Sequence, residues 1–234
     1  LTEADLQPLP APVQQYLRIT GSVDRPKVRN VRLVFDGEMR GKGKGKDWFK
    51  FRSVQYNFFD EPTRLFFMQA KMFSMPVPGY HRYQHEHASM QVKLLGLLTV
   101  MQAKGREMNK AETVTLFNDM CLMAPATLID KRIEWEPIDN LSTKATFKNG
   151  ANSISATLYF NEIGQLINFI SDDRYEINDR KQYQFSTPVK HYKQIGGRTV
   201  PTYGETIWHY PEGEFVYGQF YLSDIEYNAT DYKP

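Results

Sequence analysis

Across 234 residues there is one cysteine, Cys121. A lone thiol excludes an internal disulfide framework and every metal site built from several cysteines. Net charge is nearly absent too, since 29 basic residues against 27 acidic leave +2 at neutral pH. No global field therefore recruits nucleic acid. No apolar run reaches the ~18 residues of a membrane span. The longest, Leu94–Met101 (LLGLLTVM), is short and holds a glycine. There is no GxSxG nucleophile elbow. The stretch GKGKGKD (41–47) fails as a phosphate loop, because Asp47 stands where Ser or Thr is needed and a strand follows instead of a helix. It reads as a basic hairpin tip, with Lys42, Lys44 and Lys46 free to touch an anionic lipid surface.

What is plentiful is aromatic side chain, 14% of the residues, with 14 Tyr and 15 Phe. Such residues favour strands and line apolar cavities. About a dozen segments read as strands. Val28 to Met39 alternates cleanly, with Val31, Leu33, Phe35 and Met39 on one face. Further strands are expected at Trp48–Phe59, Thr63–Phe73, Tyr80–Gln91 and Leu94–Lys104, with MPVPG (75–79) as a break. After residue 130 the strands resume, with hairpin signals at Lys148-Asn149-Gly150 and at PEGE (211–214).

Only Asn109–Leu128 reads as a long helix. Asn109 followed by Glu112 suggests a capping box, and Pro125 supplies the stop. Its polar residues are few, chiefly Glu112, Thr115, Asn118 and Asp119, so it should be covered on more than one side. A shorter helix from Pro12 to Arg18 carries a stripe of Val13, Tyr16 and Leu17, placed across the outside of the sheet. No linker or repeat divides the chain, so residues 1–234 are read as a single domain. The fold class is α+β and mostly β: a curved antiparallel sheet or unclosed half-barrel wrapped around one long helix at about 109–124.

The most chemical-looking stretch is HRYQHEH (81–87). On one strand, His85 and His87 would share a face about 6–7 Å apart, close enough to share a metal with His209 or Glu205 from a neighbouring strand. His81 would be too remote. Cys121 in the apolar helix reads as a buried, inert thiol. In the last hairpin, a four-residue loop pairing Tyr210 with Phe215 sets Trp208 opposite Tyr217 and gathers these four aromatics on one side. Glu205, Ile207, His209, Val216 and Phe220 then take the other.

Several blocks resemble a bacterial family known only as a domain of unknown function: LPAPVQQYLRITG, VKLLGL, Gly105-Arg106-Glu107-Met108, PATLI, IEWEPID (133–139), STPV, and VPTYGETIWHYPEGEFVYG (200–218). That family brings no catalytic residues with it. In topology the order of elements resembles the lipoprotein-carrier fold of LolA and LolB, which implies a half-barrel enclosing an apolar cavity. The reading is of a non-enzymatic protein that binds a lipid or other apolar ligand between sheet and helix, with no cofactor. Leu116, Phe117 and Met120 would line the cavity, with Trp208 and Tyr217 on its wall. The alternatives are a metal-dependent or acid–base enzyme on the His85/His87 strand, and a scaffold with a filled core. A chain numbered from Leu1 suggests a removed leader or anchor, hence a cell-envelope location, the alternative being cytoplasmic.

Overall fold

The computed structural model describes residues 1–43, 47–72 and 75–233. Among them fourteen strands form one antiparallel sheet. They are β1 Asn30–Met39, β2 Phe49–Phe58, β3 Thr63–Met72, β4 Met75–Gln84, β5 His87–Leu94, β6 Leu98–Lys104, β7 Ile133–Pro137, β8 Ser142–Asn149, β9 Asn152–Phe160, β10 Leu166–Ser171, β11 Gln184–Ser186, β12 Val189–Ile195, β13 Arg198–Tyr210 and β14 Gly213–Tyr227. The order across the sheet is β6-β5-β4-β3-β2-β1-β14-β13-β11-β10-β9-β8-β7, with β12 beside β11 on the same edge of β13. The expected unclosed antiparallel sheet around one long helix is the architecture found.

That helix, α3 (Arg106–Met123), follows α1 (Glu3–Leu6) and α2 (Ala11–Ile19). It starts three residues before Asn109. Gly105, at φ +106°, provides the extended entry, and the Asn109 side chain accepts the Ala88 backbone N–H at 2.7 Å, so it ties helix to β5 instead of capping. The stop is as expected: α3 ends at Met123, and Pro125 opens a 3-10 turn through Ile129. The apolar face of α3 lies on β8–β10. Phe117 stacks on Phe147 at 5.3 Å and meets Phe169 edge-on at 5.9 Å. The short helix α2 is not on the outside. Tyr16, fully buried, donates to the Cys121 carbonyl of α3 at 2.9 Å and packs on Phe160, so α2 shares the concave side.

Three local readings are corrected. Met75–Gly79 does not break the chain but begins β4. Pro76 and Pro78 precede the ladder with β5, which begins at Gly79–Val92. Leu94–Lys104 is not one strand, because Leu95 and Gly96, at φ +54° and +70°, turn the chain between β5 and β6. In the last hairpin Tyr210 pairs with Gly213, so the loop is two residues, and a bulge lies between Thr206 and Ile207. Lys42 is committed at this hairpin, 2.7 Å from Glu212 and over the Tyr210 ring. Lys44 and Lys46 lie outside the described residues.

HRYQHEH also divides. His81 and Tyr83 face inward on β4, His85 and Glu86 form a two-residue turn with both φ values positive, and His87 opens β5. The turn has a structural task. Glu86 accepts the Ala151 N–H at 2.7 Å, and Asn152 donates to the Glu86 carbonyl at 3.0 Å. A Cβ on Gly150 would fall 1.6 Å from the Glu86 carboxyl, so only glycine admits this approach. Beneath it, Asn149 donates to the Tyr83 hydroxyl, which also meets Thr113 of α3. The β4–β5 and β8–β9 turns thus clasp the two arms of the open sheet across α3.

Candidate functional site

Four polar residues of α3 share one stripe with Leu122. Glu112, Thr115, Asn118, Asp119 and Leu122 recur at helical spacing and face away from Phe117, toward β1–β4 and β11–β14. Between this stripe and the sheet lies a cavity of about 140 Å³ that is open to solvent at its mouth. Its walls are largely apolar: Phe35 and Met39 of β1, Phe66 of β3, Leu122 and Met123 of α3, Phe185 of β11, Val189 of β12 and Phe220 of β14.

The polar end is a buried ion network. Arg64 of β3 donates to Glu112 at 3.0 Å, to Asp119 at 2.9 Å and to the Gln55 carbonyl at 3.0 Å. Gln55 and Asn57 of β2 donate to the same Asp119 oxygen, at 2.7 and 3.1 Å. His81 of β4 brings Nδ1 within 3.6 Å of Glu112. Side-chain exposure is 8% for Arg64 and 4% for Glu112, so water screens little of this.

Burial opposes ionisation of both carboxyls, with opposite outcomes. At Glu112 the Arg64 charge, the His81 bond and the more distant Arg174 outweigh burial and hold the carboxyl at about 2. At Asp119 burial wins: Arg64, Asn57 and Gln55 only partly offset it, and the value is raised. Glu112 therefore contributes stability that is full above its unfolded value of 4.5 and is lost as pH falls toward 2. Asp119 runs the other way, gaining stability as pH falls through its raised value. In an Asp119→Asn background, unfolding free energy should drop by about 3 kcal/mol between pH 5 and pH 2 from Glu112 alone. Glu112→Gln should remove that drop, as followed by urea titration at each pH.

A second cation stands across the cavity. Arg174 donates from Nη1 to the Tyr217 hydroxyl at 2.8 Å, and its guanidinium lies 4.2 Å from the Phe185 ring and 4.9 Å from Trp208. Its Nε is buried without a partner, and among the described residues no carboxylate reaches it within ion-pair distance.

Of the residues expected to line the cavity, Tyr217 does. Leu116, Phe117 and Met120 do not line it and are fully buried in the core. Trp208 stands behind the wall, stacked on Tyr217 at 6.0 Å. The aromatic patch of Trp208, Tyr210, Phe215 and Tyr217 does assemble, because a two-residue change of register preserves the face. Phe220 departs from its expected side. The bulge inverts the alternation, and Phe220 enters the cavity against Phe35 and Phe51. His85 lies in a turn and His87 at a strand start, where it meets Asn109 at 3.4 Å, so the premise of two histidines on one strand face is corrected. His209 bonds Ser186. Glu205 accepts from Tyr203. No group of three or more metal-ligating side chains gathers among the described residues. Sequence reasoning missed Arg64, Gln55, His81 and Arg174. The one signal present was the spacing of Glu112, Thr115 and Asp119 along an otherwise apolar helix.

Comparison with known proteins places the fold. A domain from Vibrio parahaemolyticus, described as an outer membrane lipoprotein-sorting protein, superposes with a TM-score of 0.53 at 7% identity, over 94% of each chain. A DUF1329 family protein from Desulfovibrio piger gives 0.51 at 10% identity, over 95% of this chain and 94% of that one. A LolA superfamily protein from Nitrosomonas europaea gives 0.49 at 10% identity, over 94% of both. At such identities the likeness is one of fold, and it agrees with the expected lipoprotein-carrier architecture. No curated protein matches by sequence. The family model that does match covers residues 1–220, and the chain belongs to DUF6544, a family of unknown function.

Proposed function

We propose that this protein binds an amphiphilic lipid or similar apolar ligand in the cavity beneath α3, without transforming it, and that it works at the cell envelope as a single domain. The observation that carries this is the cavity itself: apolar walls, a charged end, and a helix whose polar stripe faces inward over unfilled space. An engineered apolar cavity of about 150 Å³ takes up benzene. By that measure this cavity admits roughly the end of an acyl chain, and the rest of the ligand lies beyond its mouth. Met39 and Met123 on the wall can re-pack around chains of different shape. The fold shared with the Vibrio parahaemolyticus domain supports a ligand with acyl chains and an envelope location.

Acid–base or metal chemistry on a His85/His87 strand face is less well supported, because His85 lies in a turn and His87 opens the next strand.

The test uses cis-parinaric acid, whose fluorescence rises in apolar sites, together with mass spectra recorded under native and denaturing conditions. Thr115 is half-buried on the cavity side of α3 and bonds only its own helix. Thr115→Trp should fill the space and weaken parinaric acid binding at least about tenfold with the fold intact. Equal binding by the variant would move the site elsewhere. Absence of both a bound mass and parinaric acid binding would leave a scaffold with a filled core.

A further inference from the structure

The β5–β6 hairpin ends in an apolar tip that none of the described residues covers. Leu97 is 80% exposed, Leu98 65%, Val100 58%, Leu95 50% and Met101 43%, while a compact body buries most side chains of this kind. Consecutive residues in an extended strand point to opposite faces, so this tip is apolar on both sides. Leu95 is unfavourable twice over. Besides its exposure it occupies the left-handed region at φ +54°, where Asn or Gly would sit without strain. The tip is also held in place, since the Leu95 N–H donates to the Pro76 carbonyl of β4 at 2.8 Å.

Its charge is one-sided. From Pro62 to Arg106 the only acidic residue is Glu86. Glu86 lies in the turn at the other end of β4 and β5, where Ala151 occupies its carboxylate. Lys71 and Lys93 stand beside the tip, through their pairings with Pro76 and Thr99, and Lys104 and Arg106 follow along the sheet edge. Among the described residues none of these four is ion-paired. An apolar point ringed by free cations matches the boundary between acyl chains and anionic headgroups. No helix is long and apolar enough to cross a membrane, and the hairpin is far too short to cross one itself.

We propose that the β5–β6 hairpin docks the protein on an anionic lipid bilayer by inserting residues 95–101, with Lys71 and Lys93 at the headgroups. The claim is independent of what the cavity binds. Co-sedimentation should show strong binding to vesicles of phosphatidylcholine with phosphatidylglycerol and weak binding to phosphatidylcholine alone. Leu97→Asp/Leu98→Asp should lower partitioning about a hundredfold, roughly tenfold per leucine. Lys71→Glu/Lys93→Glu should erase the preference for the mixed vesicles. All four side chains lie at the surface or sheet edge, and an unchanged thermal midpoint verifies that each variant is folded. Failure of the wild-type protein to sediment, or equal sedimentation of the leucine variant, overturns the proposal. Self-association in lipid-free ultracentrifugation that the leucine variant abolishes would overturn it in favour of a second copy.

Discussion

Arg64→Met should be among the most destabilising single substitutions in this chain, costing about 3–5 kcal/mol. Among the described residues the guanidinium is the only donor shared by Glu112 and Asp119, and its removal takes the counter-charge from two largely buried carboxyls and a donor from the Gln55 carbonyl. Against a total stability of about 5–15 kcal/mol this is a large share. For a chain of this size it corresponds to a fall in Tm of roughly 10 °C or more. The same reasoning makes the loss conditional. In Arg64→Met/Glu112→Leu/Asp119→Leu no buried charge remains unpaired, and most of the stability should return. Urea denaturation of the single and triple variants decides it. A single variant within about 1 kcal/mol of wild type would mean that water enters the network freely.

Phe117→Ala should cost a similar 3–5 kcal/mol, for a different reason. The ring is completely buried, stacked on Phe147 and edge-on to Phe169, and truncation leaves a void that a sheet on one side and a helix on the other do not close. The diagnostic is what should not change. Phe117 faces β8–β10, so parinaric acid affinity, measured where the variant is still folded, should stay within about twofold of wild type, well under the tenfold expected of a wall residue. Loss of affinity alone would place the ligand on the apolar side of α3. The two variants thus separate the faces of one helix, one apolar and structural, one polar and turned to the cavity.

That division explains how much of the molecule was legible in its sequence. Strand-length aromatic alternation, one helix flanked by strands, and a proline stop sufficed for the architecture. The site was harder, because two habits of reading fail there. One is the general rule that a strand's apolar residues turn inward, which β2 breaks. The opposite holds, since Ser53, Gln55 and Asn57 point inward, while Tyr56 is covered from outside by Tyr232 and Phe58 stays exposed. A polar inner face makes sense only once Arg64 and α3 are known to supply its partners, and those lie far away in sequence. The second failure is local. A turn at His85–Glu86 has neither Gly nor Asn to announce it, because its φ values are held by contacts to residues 150–152. A bulge such as the one at Thr206–Ile207 is likewise invisible to alternation, and it moved Phe220 to the other face.

The clasp between Glu86 and Gly150 bears on how this body deforms. A tube slit along its length resists bending but yields readily to twist, because its two lips slide past each other. Pinning the lips at one end forbids that sliding there and turns the remaining freedom into a wedge that gapes at the far end. The His85–Glu86 turn is the pinned end, and the opposite end of the same two-strand arm carries Leu95–Leu97. A widening of the slit would then be greatest at the leucine-tipped rim, and a force applied to that rim would have the longest lever over the aperture.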